Sequence, residues 1–182
     1  MYRRDDCIDW VTISSINNME IIDIINQQNE VLYQTSKDEA HQKGLLHRCI
    51  IAEVIDSQGN WTLVKQANDR QDAGQFVSPV GGHIRAGESE TQALSRETLE
   101  EMGLTMFTSK FIGKAILNRE VISRKENHLF ILYEIYTNQS PALNHESVSC
   151  EKFSFDQIKS EIQSNPTKFG QAFHFVMETF YL

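Results

Sequence analysis

The sequence predicts an α+β fold, a β-sheet with helices between and after its strands. Three observations predict it. Apolar, β-branched runs alternate with polar turns; Ser-x-x-Glu/Gln helix starts occur at Ser36, Ser89 and Ser154; and the C-terminal segment repeats its large apolar residues at helical spacing.

Residues 1–18 carry no sustained period and are expected to form an N-terminal extension, leaving residues 19–182 as one domain. "MEIIDII" and "EVLYQT" flank the polar "NQQN" and predict a β-hairpin. Ser36 and Glu39 then open a short helix that Gly44 can end. "LLHRCIIAEVID" turns at "SQGN" into "WTLVKQ", a second hairpin, and residues 67–75 read as a loop. Between Ser89 and Gly103 no Pro or Gly interrupts "ETQALSRETLEEM", which predicts a helix over about 89–102. Two long strands are expected at about 107–119 and 128–136, joined by a charged turn, "REVISRKEN", and "SVSCEKFSF" reads as another strand. Ser154 and Gln157 start a short helix. A last one is expected from Asn165 as N-cap and Pro166 at the first helical position, with Phe169, Phe173, Val176, Met177 and Phe180 on one stripe.

Composition bounds the function. A chain of 182 residues, 40% hydrophobic and 23% charged, has the length and balance of one folded domain. The formal net charge of −8 argues against broad nucleic-acid binding or an anionic membrane surface, because most of the protein repels phosphate. A small anionic substrate stays open if a metal or local basic patch receives it. Cys7, Cys49 and Cys150 show no CxxC spacing, so they suggest neither a disulfide framework nor a cysteine zinc site. No apolar run is long enough to span a bilayer, and the N-terminus lacks a signal-peptide core, so a cytoplasmic location is expected.

The chemistry concentrates in "VGGHIRAGESETQALSRETLEEMGL", Val80 to Leu104. On a helix Glu97, Glu100 and Glu101 share a face, while Leu94, Thr98 and Met102 form a separate seam that can pack inward. An arbitrary ExxEE is ordinarily a solvated acidic face. Here the acids lie in the C-terminal half, where the helix dipole disfavours negative charge, and a glycine-rich loop precedes them. Like charges so placed call for a cation, and oxygen donors without thiolate suit Mg²⁺ or Mn²⁺.

The stretch resembles the Nudix box, G-x5-E-x7-R-E-U-x-E-E-x-G-U, at Gly82, Glu88, Arg96, Glu97, Glu100, Glu101, Gly103 and Leu104; the departure is Thr98, where the family prefers a bulky aliphatic residue. The resemblance implies an α/β/α sandwich with an N-terminal hairpin. It also implies a hydrolase in which water attacks a diphosphate phosphorus of a nucleoside diphosphate linked to another group. Glu97, Glu100 and Glu101 would bind the divalent cation, joined by the Gly81 carbonyl, with Arg96 and Glu88 orienting the acids. The general base stays open among Glu97, Glu120, Glu146 and Glu151. Lys65, Arg70, Arg119, Arg124 and Lys125 are the basic residues available to phosphate. Trp61, Phe76, Phe130 and Tyr133 could stack a base or belong to the core.

"SKDEAHQKGLLHR" and the "GGH" that enters the box resemble the isopentenyl-diphosphate-isomerase-like branch of the superfamily. The isomerases use a cysteine just before the box and histidines in their metal site. Here Gly81 stands at the cysteine position and the box is intact, which favours hydrolysis. His41, His47 and His83 stay as isomerase-type ligand candidates, although the spacing between the first two fits that pattern poorly and an isolated His entering a strand is ordinarily structural. The alternatives are an isopentenyl-diphosphate isomerase and a regulatory module that binds a nucleotide without turnover. A small-molecule diphosphate is the expected partner, and the hairpin leaves room for a homodimer.

Overall fold

The computed structural model of the chain describes residues 19–121 and 124–182, so the expected extension lies outside the described residues. The strands are β1 (Ile21–Ile25), β2 (Val31–Ser36), β3 (His47–Ile55), β4 (Trp61–Gln66), β5 (Phe76–Val77), β6 (Val80–His83), β7 (Thr108–Val121), β8 (Arg124–Tyr136) and β9 (Ser147–Phe153). The helices are α1 (Lys37–Lys43), α2 (Glu90–Met102), α3 (Phe155–Ser164) and α4 (Gln171–Phe180), with a 3₁₀ turn at Pro166–Lys168.

β3 organises the sheet. On one side it runs parallel to β8 over its whole length, from His47 beside His128 to Ile55 beside Tyr136. Its other side is shared in succession: His47 meets Ile24 of β1, Cys49 to Ala52 meet β6, and Val54 and Ile55 meet β4. β7 pairs antiparallel with β8, and β4 carries β5 and β9. The sheet is therefore mixed. Alternation divides its two faces. Ile50, Ala52, Val54, Val80, Ile131 and Ile135 pack on one side against Ala93, Leu94 and Met102 of α2. On the other, Trp61, Leu63 and Phe76 meet Ile158 of α3 and Phe173 and Met177 of α4, while Cys49, Ile51, Phe130 and Leu132 meet Val176.

Local chemistry sets the helix ends. Ser36 Oγ accepts from the Glu39 N–H at the start of α1, and full reciprocal capping boxes form at Ser89/Gln92 and Ser154/Gln157. Gly103 closes α2 at φ 62°, the left-handed conformation that glycine adopts without a Cβ penalty.

Three expectations are corrected. The glycine pair before α2 is not loop but strand β6, because Ile50 and Ile51 take Gly82 and Gly81 as ladder partners. The charged segment after residue 119 is strand on both sides rather than a long turn. Arg119 lies opposite Glu126 and Glu120 opposite Lys125, so complementary cross-strand charge extends the pairing to Val121 and Arg124. The last helix begins at Gln171, not Pro166: Asn165 makes no side-chain cap, Gly170 is the N-cap, and the Gly170 N–H donates to the Phe76 carbonyl at 2.9 Å. Phe169 is held extended there beside Phe76, and the apolar stripe begins in that bridge.

One buried carboxylate has a measurable consequence. Glu53 is fully buried, accepts from Ser78 Oγ at 2.6 Å through one oxygen, and has no partner on the other. Burial pushes its carboxyl up to about 7, with neighbouring Glu134 adding to the rise against the Ser78 bond. The folded state thus holds a proton that the unfolded state has released, so stability is full below the unfolded value near 4.5 and falls as pH rises through about 7. Glu53→Gln removes that loss. Urea unfolding of the variant should gain on the order of 3 kcal/mol at about pH 8 and little at about pH 4; equal gains at both would show that Glu53 folds ionised.

Candidate functional site

The carboxylates of α2 gather over β6. The Gly82 position has no side chain, and the Glu97 carboxylate fills the space: a Cβ built on Gly82 would stand 2.0 Å from Glu97 Oε1. Arg96 holds the arrangement. It donates through Nη1 to Glu97 Oε1 at 2.5 Å, through Nε and Nη2 to both oxygens of Glu88 at 2.8 Å, and through Nη2 to the His83 carbonyl at 3.0 Å. Glu88 also accepts from the Arg85 N–H at 3.0 Å, which ties the loop before α2 to the same knot. Glu101 accepts the Gly81 N–H at 2.8 Å. Glu100 is held more loosely, 3.5 Å from Arg96 Nη1 and 3.7 Å from Arg85 Nη2.

Burial dominates the electrostatics. It pushes the Glu97 carboxyl up to about 7 despite Arg96, and Glu101 up to about 8 despite the Gly81 N–H, with the other acids adding to the rise. Burial also raises Glu88, but Arg96 and the Arg85 N–H together keep it below the ordinary carboxylate range. Two carboxylates on one cavity, raised by burial and mutual repulsion, with a glycine making room for Glu97, offer hard, oxygen-only donors. The residues fit a divalent cation of the Mg²⁺ type.

These groups border a cavity of about 460 Å³ whose other walls carry Lys37, Arg70, Arg85, Arg124, Gln66, Gln71, Glu126 and Glu146. Of the sequence candidates, the structure brings Gly81, Arg96, Glu97, Glu100, Glu101, Arg70, Arg124, Glu146 and His83 to this cavity. Glu146 pairs there with Arg70 Nη2 at 3.0 Å. Glu120, Glu151, Lys65 and Lys125 do not line it. Glu120 and Lys125 are exposed and face each other across β7 and β8, and Glu151 is exposed on β9. Arg119 is occupied elsewhere, donating to Glu126 at 2.7 Å and to Gln71 at 3.3 Å.

Beneath β6 lies a second cluster. His41, His47, His83 and His128 present ligand atoms that all lie within 4.8 Å of one another. Burial holds all four imidazoles below their ordinary range, His47 down to about 4, so they are neutral near pH 7. His128 escapes a reading along the sequence, because its tie to His47 is a parallel register between strands far apart in the chain. Cys49 is likewise brought close: it lies opposite His83 and lines a second cavity of about 170 Å³ with Gly81, Gly82, His128 and Phe130. The thiol absent from the sequence around Gly81 is therefore present in space, buried, with burial raising its pKa.

A sequence model of the NUDIX domain matches residues 44–173. The chain belongs to the Nudix family. An isopentenyl-diphosphate Delta-isomerase 2 of Photorhabdus laumondii is 33% identical over 138 residues, 74% of this chain and 76% of that protein. An uncharacterized Nudix hydrolase of Streptomyces coelicolor is 34% identical over 90 residues, 46% of this chain and 47% of that protein. A crystal structure from Deinococcus radiodurans superposes with a TM-score of 0.72 at 19% identity, covering 90% of this chain and all of that one, a likeness of fold. The Nudix chain carries its box intact on strand β6 and helix α2, and it is an enzyme of the Nudix hydrolase class.

Proposed function

We propose that this Nudix enzyme hydrolyses a diphosphate linkage in a nucleoside diphosphate joined to another moiety. The observation that carries the proposal is that Glu97, packed against Gly82, lines one cavity together with Glu100 and Glu101, and that its other walls offer Lys37, Arg70 and Arg124. Its volume is that of a small-molecule site. Glu97, Glu100 and Glu101 would hold Mg²⁺ or Mn²⁺, which when bound supplies charge neutralisation at phosphoryl oxygens and lowers the pKa of water. Arg96 fixes Glu97 and Glu88 so that little reorganisation is left to the reaction step. Arg70 and Arg124 receive phosphate oxygens. Glu146, which lines the same cavity, would accept the proton of the attacking water.

The test is phosphate or nucleotide release from nucleotide, nucleotide-sugar, dinucleotide and prenyl diphosphates with Mg²⁺ or Mn²⁺. Turnover of at least one nucleoside diphosphate derivative, dependent on the cation, is the expected result. No turnover across the panel together with tight nucleotide binding would replace the enzyme by a regulatory module.

A second reading, isomerisation of isopentenyl diphosphate, is favoured by the Photorhabdus relative and by Cys49 in the smaller cavity. Gly81 opposes it. Deuterium incorporation from D₂O into isopentenyl diphosphate, followed by NMR, decides between them.

A reducing cytoplasm suits Cys49 and Cys150, both free. Among the described residues no helix is long and apolar enough to cross a membrane. The β2 strand exposes Val31, Leu32 and Tyr33, the surface on which a homodimer would form.

A further inference from the structure

Two groups assigned to the reaction above are engaged with each other in the structure. The loop at 67–75, after β4, and the loop that leads into β9 both reach the carboxylate cavity, one through Arg70 and the other through Glu146. Arg70 Nη2 lies 3.0 Å from Glu146 Oε1 and donates to His145 Nε2 at 3.2 Å. While that contact stands, the guanidinium is not free to receive a phosphate. The carboxylate oxygen it covers is not free to receive a proton.

The two loops are joined by backbone rather than by this pair. The Ala67 N–H donates to the Glu146 carbonyl at 2.9 Å, and the Arg70 N–H closes a turn on the Ala67 carbonyl at 3.1 Å. Asn144 Oδ1 accepts the Glu146 N–H at 2.8 Å, and Asn144 Nδ2 donates to the Glu100 carbonyl of α2 at 3.2 Å. Both loops therefore stay beside the carboxylate helix when the two side chains part. The guanidinium is also incompletely used. Its Nε is buried, has no hydrogen-bond partner among the described residues, and lies 4.0 Å from Asp69 Oδ1. The planar fork of arginine holds an oxyanion best through two parallel N–H bonds, and the pairing with Glu146 through Nη2 leaves Nε over. An ion pair whose side chains are 32% and 37% exposed is weak. A phosphate that offers two oxygens and more charge outcompetes it.

We infer that Arg70 and Glu146 form a latch that the diphosphate opens: a phosphate group takes the Arg70 fork, Arg70 leaves Glu146, and the freed carboxylate faces the cavity as proton acceptor. Capture of the anion and release of the base become one event, so the base is uncovered only when a phosphorus is present for water to attack. Glu146 thereby opposes binding, because an anion must displace it from Arg70. What Glu146 does once freed rests on the hydrolase reading; the exchange at Arg70 does not.

The test is calorimetric titration of the full chain, in excess Mg²⁺, with methylenediphosphonate, a diphosphate analogue whose P–C–P link is not hydrolysed. Glu146→Ala, which removes the latch, should bind it roughly 2- to 5-fold more tightly than the wild type. Arg70→Ala should bind it about 10-fold more weakly or worse. In the Arg70→Ala background, Glu146→Ala should change nothing further, because its effect acts through the guanidinium. Equal tightening in both backgrounds means that Glu146 merely repels the ligand by its charge, and it overturns the latch. So does weaker binding by Glu146→Ala, or no binding by any of the four chains. Glu146→Gln, which keeps the shape and loses the charge, takes the place of the alanine variant in the same cycle if that chain does not fold. Failure of the hydrolase reading is seen separately: a protein that shows this coupling and turns over no diphosphate keeps the latch and loses only the role of Glu146 as base.

Discussion

Glu101→Gln is expected to lower turnover by about 10²–10³-fold while leaving the fold in place. The amide keeps the shape of the side chain, and its remaining oxygen can still accept the Gly81 N–H that Glu101 accepts at 2.8 Å. What disappears is the charge. In the absence of added cation that charge is a burden, since burial pushes the Glu101 carboxyl up to about 8 and other acids adjoin it. The variant should therefore melt no lower than the wild type, and higher at a pH above about 8, where the buried carboxylate is ionised. Loss of turnover joined to unchanged or raised stability identifies a group kept for function against the interest of folding. Undiminished turnover at saturating Mg²⁺ would remove Glu101 from the metal set. Thermal midpoints and cation titrations on the same preparations separate the two outcomes.

How much of this could be read along the chain depends on the distance over which each feature is encoded. Capping at Ser36, Ser89 and Ser154 is a matter of three residues, and all three helices begin as the spacing predicts. The shared face of Glu97, Glu100 and Glu101 is likewise one turn of helix. The strand character of "VGGH" was not legible, because glycines have little strand preference and what makes them strand is the waiting edge of β3. The last helix starts later than its local signal for a related reason: Asn165 and Pro166 are a good local start, but the Phe76 carbonyl and the bridge to Phe169 defer it to Gln171. His41, His47 and His83 look like isolated residues along the sequence. Parallel pairing of β3 with β8 supplies His128 and turns them into a cluster. Glu146 and Glu151 are equivalent as letters, and only the fold puts the first at the cavity and the second on an exposed strand face.

Gly82→Ala should abolish most activity through a single methyl group. Gly82 is extended backbone in β6, so alanine meets no conformational penalty there; the added carbon meets Glu97 instead, 2.0 Å from Oε1 and 2.4 Å from Oε2. The strand is fixed by its ladder with Ile50, so the carboxylate is the group that must move. When it moves, it leaves Arg96 Nη1, now at 2.5 Å, and the position from which, on the proposed reading, it would share a cation with Glu101. Displacement of a reacting group by about 1 Å costs on the order of 10²-fold in rate, and the lost ion pair and crowding cost about 1–3 kcal/mol of stability. The expected outcome is thus a folded protein of modestly lower thermal midpoint, with weakened Mg²⁺ affinity and turnover reduced about 100-fold or more. The pairing of Gly82→Ala with Glu97→Gln makes the argument stringent. If the alanine acts by expelling Glu97, the double variant should be little slower than Glu97→Gln alone, because both changes remove the same carboxylate from the same place. Additive losses would mean that Gly82 serves the site by another route, such as close approach of substrate to the β6 backbone.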